Sequence, residues 1–454
     1  MKRITAIALS MVLGMSMPTM AADDAVEPVP DPALEAAPWA VPASQPALIV
    51  GQEELGPDYT ESIRSHVLVG LDGTQAAVDS PQLWGFTVCP GGDWVTSWVD
   101  DVVPGEPNLY AQPTAGGERI LVMEGFGWHT CLAGVDGPLV AWMPRSGHGA
   151  PLSITDLASG GIELLSERAF VEIGCCQRLW DHAPSGQLVW VEDLVFAEEP
   201  DATGWSAVLF DARSGERRTF FGPGEDREVS RVAWSRDGRL LAYTANPPQT
   251  GIVKATTVDG YIHDLATGDE RHVMTIEAIP SWPGSMALSD SGALAWANDW
   301  TDMDLVALFD AEEAQEAAGI EQGEDTPRDM WTRLIVVSPD GDLTEIPERV
   351  RRALRPLVAW APDGDLVYLN EAGELVRWSQ GDGRIATGHV LEGPDFEIGE
   401  QSPGGRYLAL TNGWSDGPDD PLEVLVFDMV SDELDSVYLF DEPNASGWVS
   451  WWPE

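Results

Sequence analysis

Lysine is almost absent from this 454-residue chain, occurring only at Lys2 and Lys254 among 25 basic residues. Against them stand 75 acidic residues, for a formal net charge of −50. A field of that sign repels phosphate backbones and anionic lipid, which excludes nucleic acid as a partner. Long apolar runs are missing too: none approaches 18 uncharged residues, so no transmembrane segment is expected. Cysteine occurs four times and never as C-x-x-C, leaving zinc-ribbon and thioredoxin-type roles without support. No two of His66, His129, His148, His182, His263, His272 and His389 share H-E-x-x-H spacing. Apolar material, in contrast, is plentiful. With 44% hydrophobic residues and 20 tryptophans, the chain can build a packed core rather than stay disordered.

The first 22 residues read as a signal peptide: Lys2-Arg3, an apolar stretch from Ile4 to Met17, and the small-residue site Thr19-Met20-Ala21-Ala22. Residues 23–45 follow as a Pro-, Ala- and Glu-rich spacer, extended and solvated. The expected location is periplasmic or secreted, and the chain is expected to be monomeric. High acidity with little lysine would suit a salty exterior, where screening weakens self-repulsion. In such a compartment Cys89, Cys131, Cys175 and Cys176 are disulfide candidates. A vicinal Cys175–Cys176 bridge would be strained, which favours a bridge from Cys131 to one of that pair.

One pattern organises the rest: an apolar strand, a tight turn ending in Gly, and a second apolar strand. It reads VAWSRDGRLLAY at Val232 to Tyr243 and VAWAPDGDLVY at Val358 to Tyr368. Looser copies place turn glycines at Gly92, Gly137, Gly186, Gly292 and Gly405 beside Gly238 and Gly364. Successive spacings are 45, 49, 52, 54, 72 and 41 residues. The longest interval holds an Ala- and Glu-rich stretch, Asp310 to Gly319, expected as a short inserted helix. A second hairpin recurs between copies around Asp156, Asp211, Asp264 and Asp428, the last with Asp432 in the Gly place. Two hairpins per period make four antiparallel strands, one propeller blade.

Val449-Ser450-Trp451-Trp452-Pro453 repeats Val358-Ala359-Trp360-Ala361-Pro362, while Pro46 to Val50 could supply a strand missing before His66 to Asp79. The C-terminal strand would then complete a blade begun at the N-terminus, which removes free sheet edges. The Trp-Ser-x-Asp-Gly core, followed by a strand ending in Asp-x-x-Ser/Thr-Gly, resembles the TolB-type, WD40-like propeller repeat. Related repeats form the propeller half of dipeptidyl and prolyl peptidases. The resemblance covers roughly residues 46–454 and implies an all-β fold. The expectation is one propeller of four-stranded blades, eight favoured over seven, without the hydrolase domain of the peptidases.

Chemical signals are sparse. Gly413-Trp414-Ser415-Asp416-Gly417 matches a nucleophile elbow but is followed by Pro418-Asp419-Asp420-Pro421, where the elbow requires a helix. His263 and the Asp181-His182 pair are explained by strand and turn roles. Asp299, Asp302 and Asp304 form a carboxylate cluster and make Ca2+ the one cofactor considered, since hard cations take oxygen ligands. Trp142, Trp190, Trp234, Trp296 and Trp360 occupy repeated strand positions and are expected to pack between blades. Trp39, Trp300, Trp331 and Trp414 fall outside that register and could offer a stacking surface. These observations favour an exported scaffold that binds a protein or small ligand, with no catalytic residues. The alternative is a carboxylate-based hydrolase or lyase in the channel, aided by Ca2+.

Overall fold

Apolar runs stopped by turn glycines fold as antiparallel strands throughout this computed structural model. It describes residues 35–36, 47–55, 62–78, 83–99, 107–145, 150–170, 172–173, 177–178, 181–183, 186–195, 203–221, 228–247, 256–278, 284–301, 330–351, 358–391, 397–412, 422–440 and 445–452. No helix occurs among them, and none therefore is long and apolar enough to cross a membrane. The stretch 310–319 lies outside the described residues.

The repeat unit is plainest in Glu228–Trp234, Leu240–Asn246, Thr256–Asp264 and Glu270–Ala278, which pair in chain order as a four-stranded sheet. The described strands within 83–123, 284–350, 358–390 and 397–440 form sheets of the same order. Described strands within 127–170 and 181–221 form an eight-stranded sheet, two such runs joined where Ala169 pairs with Glu192 and Phe170 with Val191. Ala445–Trp451 pairs with Ala47–Leu55, in register from Leu48 opposite Trp451 to Glu54 opposite Ala445. Ser62–Gly70 and Gln75–Val78 complete that sheet. Within the expected spacer, Glu35–Ala36 pairs with Gly117–Glu118.

The core lies between successive sheets. Ala295, Leu334 and Val336 pack with Val358, Leu366 and Tyr368, and the opposite face of that second sheet packs Leu369 and Leu375 on Leu408 and Phe427. Of the repeated tryptophans, Trp190, Trp296 and Trp360 are buried and Trp142 and Trp234 half-buried. Removing one tryptophan side chain from water contributes roughly 5 kcal/mol as an upper bound.

All seven expected turn glycines have positive φ, between 69° and 152°. Asp432 is the only non-glycine with positive φ among the described residues, at 57°, where the repeat otherwise places Gly. Its short polar side chain makes that conformation accessible. The disulfide differs from expectation. Cys131 bonds to Cys89, with Cα atoms 5.0 Å apart, and not to Cys175 or Cys176, which lie outside the described residues. The physical reason is sheet stacking. Cys89 begins a first-type turn, Cys131 lies on the first strand of the next sheet, and both are buried in one apolar cluster.

Candidate functional site

First-type turns from several sheets converge on one cavity of about 550 Å³. Its walls come from residues 233–236, 286–291, 358–364 and 401–403, with His182 added from another strand. Each turn is fixed locally before it contributes anything. Gly238 N donates to Ser235 O at 2.9 Å, Gly292 N to Ser289 O at 3.0 Å, and Gly364 N to Ala361 O at 3.0 Å.

Charge then ties the turns to one another. Arg236 pairs with Asp290 on the next sheet's turn, and its Nη1 donates to the carbonyl of Gly404 at 3.3 Å. Asp237 N also donates to Asp290 Oδ1 at 3.0 Å. Gln401 Nε2 reaches the carbonyl of Trp360 at 2.8 Å. Asp363 accepts from Arg377, whose side chain is only 6% exposed, at 2.5 Å. That guanidinium also meets Asp365 at 2.9 Å and Asp432 at 2.6 Å. Burial opposes the Arg377 charge, but Asp363 and Asp365 outweigh it and raise its pKa. Thr130 Oγ1 lies 3.1 Å from His182 Nδ1, which fixes the orientation of the ring.

A second cluster looks catalytic by composition. Thr275 Oγ1 donates to Asp259 Oδ1 at 2.5 Å and lies 2.9 Å from His272 Nε2. Yet His272 Nε2 is also the atom 3.2 Å from Asp259. A triad needs nucleophile and carboxylate on opposite ring nitrogens, so this group is a hydrogen-bonded knot.

The residues singled out from sequence are distributed differently. Asp299 lies on Leu294–Thr301, opposite Thr332, while Asp302 and Asp304 fall outside the described residues. So do residues 413–421 and Trp39. Trp300 and Trp331 are register partners on neighbouring strands. Among the described residues, no group of three or more His, Cys, Asp or Glu is placed to hold a metal ion. His263 is buried, 3.9 Å from Glu270, in keeping with its expected structural place. His182, Arg236, Asp290 and Asp363 were not signalled as a group. They are joined by no local motif, only by lying in or beside the first-type turns of different repeats.

No protein-family model matches the chain, and no curated protein does. Solved structures do. A puromycin-hydrolyzing peptidase from Mycobacterium tuberculosis is similar at 16% identity and TM-score 0.45, over 79% of this chain and 53% of that one. A prolyl endopeptidase structure is similar at 13% identity and TM-score 0.46, over 81% of this chain and 50% of that one. TolB from Acinetobacter baumannii is similar at 10% identity and TM-score 0.33, over 90% and 83%. The chain thus spans about half the length of the two peptidases. The shared feature is a β-propeller-like fold. The expectation of a non-catalytic binding scaffold is corrected by these neighbours, which include hydrolytic enzymes. Its physical weakness was reliance on local motifs, which are blind to side chains gathered from turns tens of residues apart.

Proposed function

We propose that this chain is a carboxylate-based hydrolase working in the cavity between its first-type turns, within an eight-bladed propeller. Eight four-stranded runs support the blade number: 83–123, 127–170, 181–221, 228–278, 284–350, 358–390, 397–440, and the run joining 445–451 to 47–78. First strands of neighbouring runs touch, as Glu228–Trp234 does Gly284–Leu288, and Ala445–Trp451 does both Glu397–Gln401 and Leu83–Val88. This pattern supports a ring closed where the two chain ends pair.

The observation that carries the hydrolytic reading is the cavity that holds His182, Arg236, Asp290 and Asp363 together. Asp363, with 56% of its side chain exposed, takes a proton from the attacking water. His182 gives a proton to the leaving group, and Arg236, held by Asp290, faces the negative charge that develops on the substrate oxygen. A panel of aryl esters, peptide anilides and aryl glycosides tests the reading. The expected result is turnover of one class, lowered about a hundredfold or more in Asp363→Asn and in His182→Gln. Full activity in both variants overturns it.

Calcium assistance through Asp299, Asp302 and Asp304 belongs to the same proposal, and a rate untouched by chelation removes it. Export is proposed with it: a monomer outside the cytoplasm whose N-terminal sequencing begins at Asp23 is the expected product of signal-peptide cleavage.

A further inference from the structure

Resting on the reading of the cavity as a substrate site, we propose that the substrate is cationic, carrying an amine or guanidinium group near the bond that breaks. The argument begins with fixed charge. Among the described residues one arginine lines the cavity, Arg236, and it is paired with Asp290. Beside the cavity-lining Asp363, the single guanidinium of Arg377 is shared by Asp363, Asp365 and Asp432. Two arginines therefore face four carboxylates, two of which line the cavity, and the surplus is negative. Among the described residues an anionic substrate would find no uncommitted guanidinium on these walls and would meet Asp290 and Asp363 instead.

The wider field acts in the same direction. A chain of net charge −50 concentrates cations at its clefts, and low-dielectric walls focus that field. Those walls are in part aromatic and polarisable: Trp234, Trp360 and Met286 line the same space. Indole faces attract amine and guanidinium groups and give no such gain to a carboxylate.

Two uncleavable probes of matched size test this on the full chain: benzamidine, a cation, and benzoate, an anion, titrated by calorimetry. Benzamidine is expected to bind about tenfold tighter or better. That ratio is expected to shrink between about 20 mM and about 0.5 M salt. In Asp363→Asn, benzamidine affinity is expected to fall several-fold while benzoate binds no more weakly. Benzoate binding equal to or tighter than benzamidine in the wild-type chain overturns the inference, whatever the variant does. A benzamidine preference indifferent to both salt and Asp363→Asn overturns it as well. The two readings fail separately. Benzamidine binding that responds to Asp363→Asn, without turnover of any substrate class, defeats hydrolysis and leaves the cationic preference standing. Turnover with anionic substrates preferred does the reverse.

Discussion

The two kinds of turn in this repeat use similar residues for opposite ends. Second-type turns are closed by their own aspartates, although the one at Asp428 also receives Arg377 on Asp432. Asp156, Asp211, Asp264 and Asp428 each accept through Oδ1 from the amide two residues on, at 2.8 to 2.9 Å. In each, the residue in the Gly place donates back to the aspartate's own carbonyl at 2.8 to 2.9 Å. First-type turns close just as tightly but spend their side chains outward. Arg236 reaches two other sheets, and Gln401 reaches the backbone of its neighbour. A turn that satisfies itself tolerates isolation, and one that satisfies its neighbour builds a shared site. The comparison teaches where mutations will propagate.

The largest expected effect is at Arg377, because removing it strands several carboxylates around a buried point. Arg377→Met should cost about 3 kcal/mol or more, read as a lower urea midpoint at unchanged slope. A loss below about 1 kcal/mol would mean that the first-type turn at Asp363 is not coupled through this residue to the second-type turn at Asp432.

Glycine substitutions sharpen the contrast at matched chemistry. At Gly186, φ is 98° and a Cβ would lie 2.4 Å from the carbonyl of Ala133 on another strand. At Gly215, φ is 71° and nothing lies within 4 Å of the same atom. Gly215→Ala should therefore cost only the left-handed strain, about 1 kcal/mol, while Gly186→Ala should cost about 3 kcal/mol. Thermal or chemical unfolding of the pair reads the difference directly, and equal costs would break the comparison.

Acid tests the interior against the second-type turns. His129 has its Nε2 buried without a hydrogen-bond partner, and burial lowers its pKa from 6.5 to about 4. The unfolded chain thus binds this proton first, so stability is full above pH 6.5 and falls as pH drops from 6.5 towards 4. Because the residue as a whole is half-buried, we expect about 2 kcal/mol rather than the full shift. His129→Gln should flatten that part of the pH–stability curve. Asp156 gives the smallest effect. Its carboxyl is held low by the Ser159 hydroxyl and the Ala158 amide, so its contribution is present above the normal carboxylate pKa and lost as pH falls through the lowered one. Solvent screening keeps it near or below about 0.5 kcal/mol, measurable as a small shift for Asp156→Asn.

The fold was legible because its signals are local. Asp-Gly and Ser-Gly turns state their backbone conformation, and even the substitution of Asp432 for Gly preserved the left-handed place. The match between residues 449–453 and 358–362 also disclosed the pairing of Ala445–Trp451 with Ala47–Leu55, since a repeated strand needs the repeated partner. The site was not legible, because it depends on which sheets stack. Cys89–Cys131 shows the same limit: both residues are ordinary in sequence, and only sheet adjacency brings them together. His182 read as a turn residue because Thr130, its partner, is 52 residues away. Arg236 and Gly404 are 168 residues apart.

The central claim is that the first-type turns form a reactive site and the second-type turns do not. Matched aspartate variants, one from each kind of turn, test it most directly: hydrolysis by Asp363→Asn and by Asp156→Asn, each confirmed folded by circular dichroism. We expect the rate to fall about a hundredfold or more in Asp363→Asn and to stay within about twofold of the parent in Asp156→Asn. Equal rates in the two variants would contradict the account.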